Sequence, residues 1–434
     1  MSTSDWVDRD LRSVWHPFTQ HSRWPDDDPL VIESADGMHL VDDQGRRYLD
    51  GVSSLWVTVH GHREPAIDAA IRAQLDRLDH STFLGLSHRP GVELAEELLS
   101  VAPAGLSRVF YAGDGASAVE AAIKMAFQAA DQRGEVRPLF VHLAEGYHGD
   151  TLGAVSVGGI ATFHAAYRPI LLDTRMVSSP GVRKPGQTAT DRATEVVDEL
   201  AALMARDGDR VCAIVVEPMV QAAGGMLTHD AEFLRGVRRL CDRHGAAMVA
   251  DEVATGIGAT GRWWAVEHAG VSPDLLTCGK RVTGGYLPLS AVLARESVYE
   301  AFLGSADKTF FHGHTYTANP LCAAAAIANL RLMRERDTVA AAESLGRRLG
   351  RLLEPLAAYD GVSEIRRIGT MTGIEVHSVG ERTGDAVCRR ARELGVIVRP
   401  LGDVVVLMPP LAMGDDDVTE LVAVVDRAVR EVVR

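Results

Sequence analysis

The chain has 434 residues, 46% of them hydrophobic and 24% charged, with a formal net charge of −14; this fits a folded globular protein with one large domain and a smaller companion. The acidic balance argues against a duplex nucleic acid or an anionic membrane as partner, because either needs a basic face. No run of about 18 uncharged apolar residues is present to span a bilayer, the acidic amino terminus is unlike a secretory signal, and five cysteines without a C-x-x-C pair suit a reducing compartment, so a cytoplasmic location is expected.

To about Arg63 the chain reads as an extended arm with short strands at 30–33, 37–41 and 47–49, alternating around turn residues such as Asp36-Gly37. A helix comes next over 66–78. From there to about 332, apolar runs at 108–111, 139–143, 212–216, 246–250 and 275–278 alternate with amphipathic stretches. This rhythm predicts an α/β domain with a mostly parallel sheet covered on both faces. Beyond 333 a long helix, short strands at 364–367, 372–376 and 404–408, and a closing helix over 417–433 predict a smaller α/β domain. The expected organisation is therefore an arm and part of the small domain at 1–63, a large cofactor-binding domain at 64–332, and the rest of the small domain at 333–434.

The residues just past each run are more informative than the runs themselves. A glycine loop ends the first, Gly146-Tyr147-His148 the second, Glu217 the third, Asp251 the fourth and Lys280 the fifth. Ligands of open α/β sheets bind beyond the carboxyl ends of the strands, so these groups can meet in one crevice.

Only four of the 45 basic residues are lysine, Lys124, Lys184, Lys280 and Lys308, and any amine chemistry must use one of them. A lysine at a desolvated strand end loses its proton more readily, and the neutral amine condenses with an aldehyde; Lys280 has that setting. The plainer reading is a strand-end lysine that lays its stem on apolar surface. Lys124 comes four residues after Glu120, at i,i+4 spacing, and reads as a surface ion pair, while Lys184 and Lys308 sit in loops.

Asp251 closes a buried run and needs a cationic or donor partner, which the protonated ring nitrogen of pyridoxal phosphate would supply; a helix cap or structural ion pair is the alternative. The loop at 111–117 leads into a helix expected to start near Ala118, and backbone N–H groups at Gly115 and Ala116 could hold a phosphate. The same loop satisfies G-x-G-x-x-A, so an NAD(P)-dependent oxidoreductase is a rival reading. That reading requires an acidic residue about 20 positions on, at the end of the next strand, and 139–143 ends without one. Asp114 would oppose an anion unless it turns away. Tyr147 and His148 could stack on a flat ring or pack the core. The triplets at 60–62 and 312–314 lack a third ligand, so no metal is expected.

Taken together, Gly146-Tyr147-His148-Gly149, Glu217-Pro218, Asp251-Glu252-Val253 and Gly279-Lys280 with Thr283-Gly284-Gly285 make the chain resemble the class III aminotransferases of pyridoxal phosphate fold type I along nearly its whole length. Within them, Trp15-His16-Pro17-Phe18-Thr19, the segment 50–56, His312-Gly313-His314-Thr315 and Arg399-Pro400-Leu401-Gly402 look like the 7,8-diaminopelargonate aminotransferases of biotin synthesis. The resemblance implies pyridoxal 5′-phosphate on Lys280, with Lys280, Asp251 and Tyr147 catalytic. It implies cofactor contacts from Gly115, Ala116, His148 and Glu217, and from Thr315 across a homodimer with shared active sites. Phe18, Trp56, Gly313 and Arg399 would bind substrate, Arg399 pairing with a carboxylate.

The implied reaction converts 8-amino-7-oxononanoate to 7,8-diaminononanoate with lysine or S-adenosylmethionine as amino donor; segments 18–20, 53–56, 80–82 and 310–314 look closer to lysine users. A diamine or ω-amino acid aminotransferase is the alternative within the class. Two positions depart from the family pattern: Asp114 stands where a hydroxyl residue is usual, and Ala259 where arginine is usual.

Overall fold

The computed structural model describes residues 3–434, with side chains from Asp5 onward. Its central element is a seven-stranded sheet built, in chain order, from β1 (Leu106–Ala112), β2 (Leu139–Leu143), β3 (Thr174–Val177), β4 (Val211–Val216), β5 (Ala247–Asp251), β6 (Leu275–Cys278) and β7 (Ser290–Arg295). The spatial order is β1-β7-β6-β5-β4-β2-β3. Strands β3, β2, β4, β5 and β6 run parallel, whereas β7 is antiparallel to both of its neighbours.

Both faces of this sheet are buried, which is why its strands are continuous apolar runs and not alternating ones. On β6, Leu275 joins the cluster that includes Ala118, Ala122 and Ala126 of helix α1 (Gly115–Gln132). Its neighbour Leu276 joins Leu94, Leu98, Ala323, Ala326 and Leu330, from helices Arg89–Val101 and Pro320–Glu335, on the other side. The alanine face of α1 lets that helix lie close against the sheet above the functional strand ends.

A second core holds the chain ends together. The antiparallel sheet of Val362–Ile368, Met371–Val376, Arg399–Leu401 and Val404–Leu407 packs with helices Thr338–Ala357, Thr383–Glu393 and Asp415–Val432 through Leu349, Ile374, Val405, Leu421 and Val425. The amino-terminal strands Ile32–Asp36, His39–Asp42 and Arg47–Asp50 form a sheet completed by Val396–Ile397, which runs parallel to Arg47–Asp50. The fold is the expected α/β one: a large, mostly parallel sheet domain and a smaller α/β unit made from both chain ends.

Two local expectations are corrected. The helix expected near Ala118 begins at Gly115, because Asp114 caps it. The long helix expected after 333 is Thr338–Ala357, set off from the preceding helix Pro320–Glu335 where Asp337 takes φ +49°. Strands β3 and β7 escaped the sequence pattern: β3 is a half-exposed edge strand, and β7 is a six-residue run close behind the turn residues Gly284, Gly285 and Pro288. Among the described residues, no helix is long and apolar enough to cross a membrane.

Candidate active site

The site lies where β1, β2, β4, β5 and β6 end. A cavity of about 470 Å³ is lined there by Lys280, Asp251, Glu217, Tyr147, His148, Gly115, Ala116 and Trp56, among others. Eight residues singled out in the sequence therefore meet in one place.

Lys280 succeeds Gly279 at the end of β6 and opens a 3₁₀ turn, Lys280–Thr283, in the left-handed conformation with φ +46°. Such a backbone is unfavourable for a side-chain-bearing residue and must be held by its surroundings. Asn329, fully buried in helix Pro320–Glu335, does so by donating from Nδ2 to the carbonyls of Arg281 (2.9 Å) and Val282 (3.0 Å). Lys280 Nζ lies 5.2 Å from the Trp56 ring centroid. Desolvation pushes its amine down to about 8, with Asp251 opposing and Arg281 adding to the effect.

Asp251 closes β5 and is 4% exposed. Its Oδ2 lies 2.7 Å from His148 Nδ1, and its Oδ1 accepts from Thr277 Oγ1 (2.9 Å) and the Val253 N–H (3.1 Å). Burial alone would push the His148 imidazole down, but its hydrogen bond and charge contact with Asp251 outweigh this and hold it above the usual histidine range. Glu217 accepts from the Tyr147 N–H (3.1 Å) and the Ala222 N–H (3.0 Å). Burial pushes its carboxyl up to about 7, with His148 opposing and Asp251 adding. The Tyr147 hydroxyl donates to Asp150 Oδ2 at 2.8 Å. Burial, and then that bond, raises the phenol above its usual range.

Asp114 stands at the edge of the cavity with its carboxylate bonded to its own helix: Oδ1 accepts from the Ser117 N–H (2.9 Å) and Oδ2 from Ser117 Oγ (2.8 Å). Ser290 of β7 fixes the loop by donating to the Asp114 carbonyl at 2.6 Å. Gly149, at φ +116°, brings its loop against α1 so closely that a Cβ would collide with the Ala116 side chain. The first turn of α1 thus faces the cavity at Gly115 and Ala116, with the positive end of the helix directed toward it.

Pyridoxal 5′-phosphate fits this arrangement. The helix start would take the phosphate, the buried Asp251 would face the ring nitrogen, and Lys280 supplies an amine with its proton loosened. Thr277, Asp150 and Asn329 were missed in the sequence because their roles depend on contacts between distant segments. A Thr near a strand end is too common to have pointed to Thr277.

Other expected site residues lie apart from this cavity within one chain. Phe18 is 60% exposed and meets the site only through Phe163, its ring centroid 5.4 Å from that of Phe163, which in turn lies 6.1 Å from Tyr147. Gly313 and Thr315 are exposed on the loop before helix Pro320–Glu335. Arg399 is half-buried beside Ser54 and Trp24, in a neighbouring groove. The Lys124–Glu120 ion pair does not form: Lys124 Nζ contacts His312 Nδ1 at 3.0 Å, while Glu120 accepts from the Gly153 N–H at 2.8 Å. Lys184 pairs with Glu195 on the surface.

The family model for class III aminotransferases matches residues 21–429. The chain is 49% identical to an adenosylmethionine-8-amino-7-oxononanoate aminotransferase of Nitratidesulfovibrio vulgaris, over 97% of this chain and 80% of that one. It is 42% identical to the protein of the same name from Geobacter sulfurreducens, over 99% and 97%. Among solved structures, the adenosylmethionine-8-amino-7-oxononanoate aminotransferase of Methanocaldococcus jannaschii superposes with a TM-score of 0.94 at 34% identity, covering 99% of both chains. An amine transaminase from an uncultivated Pseudomonas species, in its PLP-bound form, superposes with a TM-score of 0.90 at 33% identity, covering 97% and 99%. With an amine, a buried carboxylate and a helix start converging on one cavity, this chain belongs to the class III aminotransferases and is a transaminase.

Proposed function

We propose that this chain is a pyridoxal 5′-phosphate-dependent aminotransferase that converts 8-amino-7-oxononanoate to 7,8-diaminononanoate in biotin synthesis. The observation that carries the chemistry is the meeting of Lys280 with the buried Asp251 at the carboxyl edge of the sheet. The substrate is inferred from the names of the relatives, which match almost the whole chain.

Bound there, the cofactor supplies an aldehyde that takes up amines and a ring that accepts electron density. Lys280 anchors it and then, as an amine whose proton burial loosens, takes the proton from the amine-bearing carbon of the donor. Asp251, its two oxygens oriented by His148, Thr277 and the Val253 N–H, would face the ring nitrogen and favour a proton there. Gly115 and Ala116 bind the phosphate through the start of α1. Tyr147 and Trp56 wall the reacting groups on two sides and exclude water.

The acceptor carboxylate is assigned to Arg399, and the active unit is a cytoplasmic homodimer in which Thr315 reaches the neighbouring subunit's cofactor. In keeping with this, Trp15, Leu84, Phe311 and Tyr316 are 64–89% exposed in the single chain, apolar surface that a partner subunit would cover. The donor is S-adenosylmethionine or lysine: the relatives' names carry the first, and the segments at 18–20 and 310–314 favour the second.

The deciding experiment is the visible spectrum of the purified protein before and after each donor, and then after addition of 8-amino-7-oxononanoate. A yellow band bleached by one donor and restored by the keto acid is expected. Bleaching by ω-amines with no response to the keto acid would move the substrate to the broader ω-transaminase class. Absence of the band after adding cofactor would overturn the reading, and Lys280→Ala must abolish it.

A further inference from the structure

Arg281, the residue after the reacting lysine, is a buried cation that nothing neutralises. It is 1% exposed and ranks among the largest fully buried side chains. One of its nitrogens, Nη1, donates to the Ala254 carbonyl at 3.0 Å; Nε and Nη2 have no partner. Among the described residues no carboxylate pairs with it. Glu252, the nearest buried acid along the Ala254 loop, is occupied by Thr255 Oγ1 (2.6 Å), the Ala265 N–H (3.0 Å) and the Val266 N–H (2.9 Å).

Burying an unpaired guanidinium is unfavourable, and a fold retains one where its field is used. Lys280 shares its cavity with Asp251 from the end of β5, Glu217 from the end of β4, His148 bonded to Asp251, Tyr147, Asp114, Asp150 and the Trp56 ring, while Arg281, the next residue on the same turn, sets its guanidinium against the carbonyl of Ala254, which lines the same cavity. Asp251, Glu217 and the Trp56 face favour a proton on the Lys280 amine. Arg281, on the same turn and without a counter-ion among the described residues, is a cation whose charge opposes that proton.

We propose that Arg281 is a positioning residue for the transamination: a buried, uncompensated charge that holds the Lys280 amine in its neutral, reactive form. The inference rests on the reading of Lys280 as the reacting amine.

The chain's four lysines permit a direct test. Full-length protein prepared without cofactor is labelled with acetic anhydride across a pH series, and the extent at each lysine is read by peptide mass spectrometry, with Lys124, Lys184 and Lys308 as internal references. The wild-type midpoint for Lys280 is expected near 8. In Arg281→Met it should rise, and a rise of one pH unit lowers labelling at pH 8 about fivefold while the three references stay unchanged. If that variant does not fold, Arg281→Gln, which can still donate to the Ala254 carbonyl, gives the same test.

Asn329→Ala disturbs the turn without removing charge and should leave the Lys280 midpoint in place. An unchanged midpoint in the Arg281 variants, or an equal rise in Asn329→Ala, would overturn the proposal. Borohydride reduction of the cofactor-loaded wild type and peptide mapping of the product read separately whether Lys280 carries the cofactor, so failure of the underlying reading is distinguishable.

Discussion

His148 and Asp251 meet with Nδ1 2.7 Å from Oδ2 although 103 residues separate them in the chain. The contact joins the loop after β2 to the end of β5, two strands held apart by β4. It gives the carboxylate a fixed orientation, since Thr277 and the Val253 N–H occupy its other oxygen. Asp251→Asn should keep the cofactor bound and lose on the order of 10²-fold or more in kcat, because the ring nitrogen loses its anionic partner. His148→Gln, which can still donate to Asp251, should lose less. Single-turnover rates with saturating donor check this; an unchanged rate in Asp251→Asn would assign the nitrogen contact elsewhere.

Asp114 acts as a helix cap and not as an anion ligand. Asp114→Ala should therefore cost about 1 kcal/mol of stability by leaving the Ser117 N–H without its acceptor. Asp114→Ser restores most of that while removing a negative charge beside the phosphate position, and should bind cofactor at least as tightly as wild type. Denaturant unfolding and cofactor titration report the two effects. Weaker binding in Asp114→Ser would show that the carboxylate contributes to the site.

Glu217 carries a pH signature. Burial lifts its folded value to about 7, above its ordinary value, so the native state holds a proton that the unfolded chain releases. The stabilisation is complete below the ordinary carboxyl range and is lost as pH rises through about 7. His148, also raised, acts in the same direction. Thermal stability of the cofactor-free protein should decline between about pH 5 and 7, and Glu217→Gln should flatten that decline. Melting curves over this range decide it, and an unaltered slope in the variant would exclude Glu217 as the source.

Arg399 is assigned to the acceptor carboxylate. Arg399→Ala should raise the KM for the keto acid and lower kcat/KM about 10- to 100-fold, the scale of a charge-assisted pair, with a smaller effect on the donor half-reaction. Separate measurement of the two half-reactions tests this. Equal losses in both would reassign the residue.

Much of this protein was determined by local sequence alone. Apolar runs ending in Glu217, Asp251 and Lys280 reveal parallel strands with chemistry at their carboxyl ends, because burial on both faces and a short polar terminus leave a pattern within a few residues. The scarcity of lysine narrowed the amine to four candidates, and Lys280 stood out by its desolvated setting. Tertiary structure alone decided the rest. The antiparallel insertion of β7, the turn of Asp114 onto Ser117, the diversion of Lys124 to His312 and the pairing of His148 with Asp251 each depend on which distant segments become neighbours. The burial of Arg281 without a counter-ion is of the same kind: a guanidinium reads identically in sequence whether it meets water, a carboxylate or neither, and only packing settles which.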